Sequence, residues 1–98
     1  MDCEIRWLRR ASNELTEIYN YYRFVAGSKV ATKRLGIISQ AVLRLKTMPN
    51  LGVLDEEFAH EPCYRHLTVL DYKIYYFVED NIIYVASIWD CRHGHEAF

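Results

Sequence analysis

The chain has 98 residues, of which 51% are hydrophobic and 26% charged, with a formal net charge of -1. This is the size and composition of one globular domain, too short for two and too apolar for a disordered chain. No apolar run reaches the roughly 18 residues of a membrane span, and the opening Met1-Asp2-Cys3-Glu4-Ile5-Arg6 has acids where a signal peptide carries its apolar core, so a cytoplasmic domain is expected. Cys3, Cys63 and Cys91 are odd in number and none has CxxC spacing. They read as reduced, mostly buried small hydrophobes, with no metal site and no cofactor implied.

The near-zero charge is a difference between unlike halves. Residues 1–46 carry nine Lys/Arg against four acids, and residues 47–98 carry three against nine. Such an asymmetry suits charge complementarity within the fold or two surfaces of opposite sign. It does not suit a dedicated nucleic-acid binder, which would be basic overall.

In chain order, Cys3, Ile5 and Trp7 alternate with Asp2, Glu4 and Arg6, the period-two pattern of a half-buried strand. From Arg9 the apolar spacing becomes helical through Ala11, Leu15, Ile18, Tyr19, Tyr22 and Val25, with Gly27 as terminator and Ser28 as cap of a second helix. That helix carries Ala31, Leu35, Ile38, Val42 and Leu45 on one stripe and stops before Pro49, so the two helices form an antiparallel hairpin. Residues 50–62, with Gly52, Pro62 and the acidic run Asp55-Glu56-Glu57, read as a surface loop.

Three strands follow, Cys63 to Leu70, Tyr72 to Val78 and Ile82 to Trp89, rich in Val, Ile, Tyr, Phe and Thr and separated by short turns. The predicted fold is α+β, β-α-α-β-β-β, with the helix hairpin on one face of a four-stranded, mainly antiparallel sheet. Strict alternation puts Tyr72, Ile74, Tyr76 and Val78 opposite Lys73, Tyr75 and Phe77, and groups Ile82, Tyr84, Ala86 and Ile88 against Ile83, Val85, Ser87 and Trp89. Both faces of the last two strands are apolar, which calls for cover by a partner, by self-association or by the chain itself.

Several segments resemble the RelE/ParE toxin superfamily. They are Tyr64-Arg65 entering a strand, Tyr72-Lys73-Ile74 with Tyr76 and Val78, the acidic turn after it, and an apolar last strand leading to Asp90 and Arg92. Upstream, Ala11, Leu15, Ile18 and Tyr21 are similar to the first family helix, so about 90 residues share the pattern. The resemblance implies the toxin of a type II toxin-antitoxin module of the plasmid-stabilisation kind. It implies growth inhibition, an antitoxin partner and the capacity for a higher-order toxin-antitoxin complex. ParE-like members inhibit DNA gyrase by protein contact, whereas RelE-like members cleave mRNA on the ribosome with the substrate's own 2'-hydroxyl as nucleophile. A plain interaction module on the same fold is a third reading.

For the nuclease, attack by a 2'-hydroxyl needs a base, positive charge on the phosphate and an acid for the leaving oxygen. Arg65, Arg92 and His93 are the candidate catalytic residues, with Lys73, His95 and Phe98 secondary. Arg65 would grip the phosphate through its fork of donors, and His93 would exchange protons, since an unperturbed imidazole has a pKa near neutrality. His60 and His66 read as structural. Two departures favour the gyrase branch: the loop carries Asp55-Glu56-Glu57 where RelE-like members carry lysines, and six positions beyond Arg92 stands Phe98, which can stack but has no hydroxyl.

Overall fold

The computed structural model describes residues 2–55 and 63–91. Its elements are β1 (Glu4–Trp7), α1 (Arg9–Ala26), α2 (Ser28–Leu43), a 3-10 turn (Arg44–Lys46), β2 (Val53–Leu54), β3 (Arg65–Val69), β4 (Tyr72–Glu79) and β5 (Ile82–Asp90). The sheet order is β1-β5-β4-β3-β2, with β1 parallel to β5 and every other pair antiparallel. Five strands thus replace the predicted four. The extra one, β2, lies inside the predicted loop and is only two residues long, too short for a period to show in the sequence.

The helix hairpin forms as expected, with one local difference. Gly27 has φ 93°, a conformation that favours glycine, and its N–H bonds the Arg23 carbonyl. Ser28 is the first helical residue, not the cap, and α2 begins without a side-chain cap. The stripe of Ala11 and Tyr22 on α1 and Ala31, Ile38 and Val42 on α2 meets Leu45, Ile74, Tyr76, Ile83 and Val85 in one core. On the helices' flank, the Arg34 guanidinium lies 4.3 Å from the centre of the Tyr22 ring.

The turn between β4 and β5 uses residues that tolerate positive φ, whereas the turn between β3 and β4 holds Leu70 at φ 55°. Asp80 and Asn81, at φ 51° and 63°, make the two-residue turn between β4 and β5, the twisted kind whose hand matches that of the sheet. The same Asn81 anchors the start of the chain: its carbonyl accepts the Glu4 N–H, its Oδ1 accepts from the Cys3 thiol at 3.2 Å, and its Nδ2 donates to the Asp2 carbonyl. Cys3 is buried there, whereas Cys63 and Cys91 are exposed at strand ends, against the expectation that most cysteines are buried.

A β-bulge corrects the predicted faces of β5. Tyr75 pairs with Ser87 but Tyr76 pairs with Val85, so Ala86 is the extra residue. Beyond it every side chain changes face. Ile83, Val85 and Ile88 therefore share the core side, and Ser87 and Trp89 share the side of Tyr75.

Candidate functional site

Arg65 sits at the start of β3 directly opposite Tyr76, on the side of the sheet that the helices cover. Tyr76 is fully buried, and its hydroxyl donates to the Pro49 carbonyl at 2.8 Å while accepting the Gly52 N–H at 2.8 Å. Arg65 Nη1 donates to the Gly52 carbonyl at 2.9 Å. Strand and loop are thereby locked by three hydrogen bonds among five polar groups, each with a partner, as burial demands. Burial pushes the Tyr76 phenol above its ordinary pKa, opposed by the Gly52 hydrogen bond and by the Arg65 charge.

Gly52 is needed for this approach. A Cβ there would come within 2.7 Å of the Tyr76 ring and hydroxyl and 2.8 Å of the His66 carbonyl oxygen, closer than real atoms pack. The sequence shows Gly52 only as a loop glycine and Tyr76 only as a strand aromatic. A tyrosine at a core position did imply a buried hydroxyl in search of partners.

The other face of the sheet is aromatic. Phe77 stacks on Tyr84 at 5.0 Å between centroids and meets Tyr64 edge-on at 5.3 Å; Tyr75 lies 4.6 Å from Trp89 and 5.4 Å from His66. Between these rings and the start of α1 lies a cleft of about 490 Å³, with Leu8 and Arg10 on one side and Tyr75 and Trp89 on the other. His66 Nδ1 is 4.0 Å from Asp55 Oδ2, outside hydrogen-bond reach, with both side chains largely shielded. Lys73, paired with Thr68 and Trp89, is on this aromatic face.

The sheet therefore stands between Arg65 and Lys73 and does not bring them together. Arg92, His93, His95 and Phe98 lie outside the described residues, as do His60, Glu56 and Glu57. Among the described residues, no group of three or more His, Cys, Asp or Glu side chains could hold a metal ion, and no helix is long and apolar enough to cross a membrane.

Comparison with known proteins agrees with this architecture. A family model described as the ParE toxin of the type II toxin-antitoxin system parDE matches residues 5–94. Among solved structures, a chain of the chromosomal ParDE toxin-antitoxin system from P. aeruginosa is similar, with a TM-score of 0.75 and 25% sequence identity. The match covers 90% of this chain and 95% of that one. No curated protein matches. With the two-helix hairpin on a mixed sheet and a family match over nearly the whole length, the chain belongs to the ParE toxin family of type II toxin-antitoxin systems.

Proposed function

We propose that this toxin acts on DNA gyrase by protein-protein contact and not by cutting RNA. The observation that carries the reading is the state of Arg65. Phosphate chemistry needs a cation whose donors are free to meet developing negative charge. Here one guanidinium nitrogen is committed to the Gly52 carbonyl, the side chain lies on the helix-covered side of the sheet, and Lys73 is on the opposite side. A net charge of -1 and a carboxylate at Asp55 further weaken the attraction of this chain for a polyanion.

The toxin has a cognate antitoxin as its partner, the other half of a type II system. The test of the target is a side-by-side measurement after induction of the chain alone: mapped mRNA 5' ends, and supercoiling of a plasmid by gyrase in the presence of the purified chain. Intact mRNA with lost supercoiling is expected. Codon-phased cuts that vanish on Arg65→Ala, Arg92→Ala or His93→Ala would instead establish the ribonuclease reading, and unaffected growth would leave a non-toxic interaction module.

A further inference from the structure

β5 changes character where it bulges. Ala86 and Ser87 are its two smallest residues, and they interrupt the row of rings that Tyr84 and Trp89 carry on the aromatic face. Two small side chains in succession leave a gap there, and the gap is the floor of the cleft of about 490 Å³. Tyr75 and Trp89, 4.6 Å apart between centroids and tilted by 47°, form one wall. Tyr64 stands on another side, and Leu8 and Arg10 flank the mouth at the start of α1. Small-molecule sites have volumes of roughly 300–1,000 Å³ and are mostly apolar and aromatic with a few convergent polar groups, which describes this cleft.

Ser87 supplies the polar group. It is only 7% exposed, and among the described residues its hydroxyl has no hydrogen-bond partner. Buried hydroxyls are normally satisfied, because an unmet one forfeits its hydrogen bonds to water. The surface Ser87 retains opens into the cleft. An occupant that completes the site therefore needs a flat body to lie against the rings and a hydrogen-bonding atom on its edge. At the mouth, Arg10 Nε lies 3.4 Å from the Glu14 carboxylate, so the cation has its counter-charge within the chain and the pair offers an anion no net attraction.

We infer that the cleft binds a small, neutral, planar nitrogen heterocycle of the purine kind, as a free base or nucleoside. The inference does not depend on the toxin's target. The ring lies against Trp89 and Tyr75, which stack on any heteroaromatic face, and a nitrogen or exocyclic group on its edge meets the Ser87 hydroxyl, able to donate or accept. An apolar side chain of a partner protein would fill the same space and leave that hydroxyl unmet. A nucleic-acid strand would bring phosphates up to the Glu14 carboxylate, on a chain whose net charge is already -1.

The experiment titrates the purified full chain with adenosine, with adenosine monophosphate, with a short single-stranded oligoadenylate and with toluene, a flat ring that has no hydrogen-bonding atom, and reads backbone amide shifts residue by residue. Adenosine is expected to bind saturably with a dissociation constant of about 1 mM or tighter, with the largest shifts at Ala86, Ser87 and Trp89, and toluene more weakly. Ser87→Ala is expected to weaken adenosine by about fivefold while melting like the parent, and Trp89→Leu by about tenfold or more. Where Trp89→Leu does not fold, Ser87→Ala decides alone. No saturable shift with adenosine, shifts centred away from the cleft, or parent-like affinity of Ser87→Ala would overturn the site. Tighter binding of the monophosphate or the oligoadenylate than of adenosine would overturn the neutral ligand in favour of a nucleic-acid strand, and toluene binding as tightly as adenosine would overturn the heterocycle in favour of a partner's apolar side chain.

Discussion

The Glu14 carboxylate, on the second turn of α1, accepts the backbone N–H of Ile88 in β5 at 2.9 Å. The contact exists because β1 pairs with β5 only as far as Val85, and the bulge at Ala86 sends the following N–H to an edge that no strand covers. Arg10 Nε, 3.4 Å from the same carboxylate, balances its charge. Glu14→Ala is expected to destabilise the fold by about 1–3 kcal/mol, the cost of leaving a partly buried donor unmet, and Glu14→Gln by less, since an acceptor remains. Urea titration of the three proteins gives the comparison.

Gly52→Ala is expected to cost about 1–3 kcal/mol, because a methyl group 2.7 Å from the Tyr76 ring forces loop and strand apart. For a domain of this length that lowers the melting temperature by about 4–8 °C per kcal/mol, readable by calorimetry.

Tyr76→Phe removes one hydroxyl and orphans both the Gly52 N–H and the Pro49 carbonyl, so a loss of about 1–3 kcal/mol is expected at neutral pH. The phenol has a folded-state pKa raised above its unfolded value near 10, so its contribution is fully present below that value and is lost as pH rises through the folded pKa. Parent stability should fall above about pH 10 more steeply than that of Tyr76→Phe. Denaturation midpoints from pH 8 to pH 11 check the sign.

Gly36→Ala is expected to stabilise the chain by up to about 1 kcal/mol. The glycine lies inside α2 in helical geometry with open space where the methyl would go, so the substitution only removes freedom from the unfolded chain. Raised thermal stability with unchanged circular dichroism would show it.

The helix hairpin, the three long strands and their turns were legible because each is long enough for its apolar period to repeat. β2 was not, since two residues have no period, and the faces of β5 beyond Val85 were misassigned because one inserted residue reverses all later parity. Arg65 shows a different limit. In the sequence it reads as a phosphate-gripping cation, but the carbonyl it meets belongs to a loop residue 13 positions earlier, and only the folded chain brings the two together. Nothing in the sequence sets Glu14 apart from the other acid of its helix, Glu17. The role of Glu14 depends on a bulge more than 70 residues later, beyond the reach of local pattern.

The pairing of β1 with β5 joins Glu4 to Ile82, so among the described residues β1 waits for a strand that is made much later. Closing a loop that spans most of the chain is entropically slow, and no shorter piece of the chain can supply β1 with its neighbour. A growing or prematurely ended copy that stops before Ile82 leaves Ile5 and Trp7 without the strand they dock against, along with the Val85 carbonyl that Leu8 bonds at the entrance to α1. For such a chain a product that stops before Ile82 lacks the neighbour of β1 as well as β5 itself, so one missing strand opens two places in the sheet.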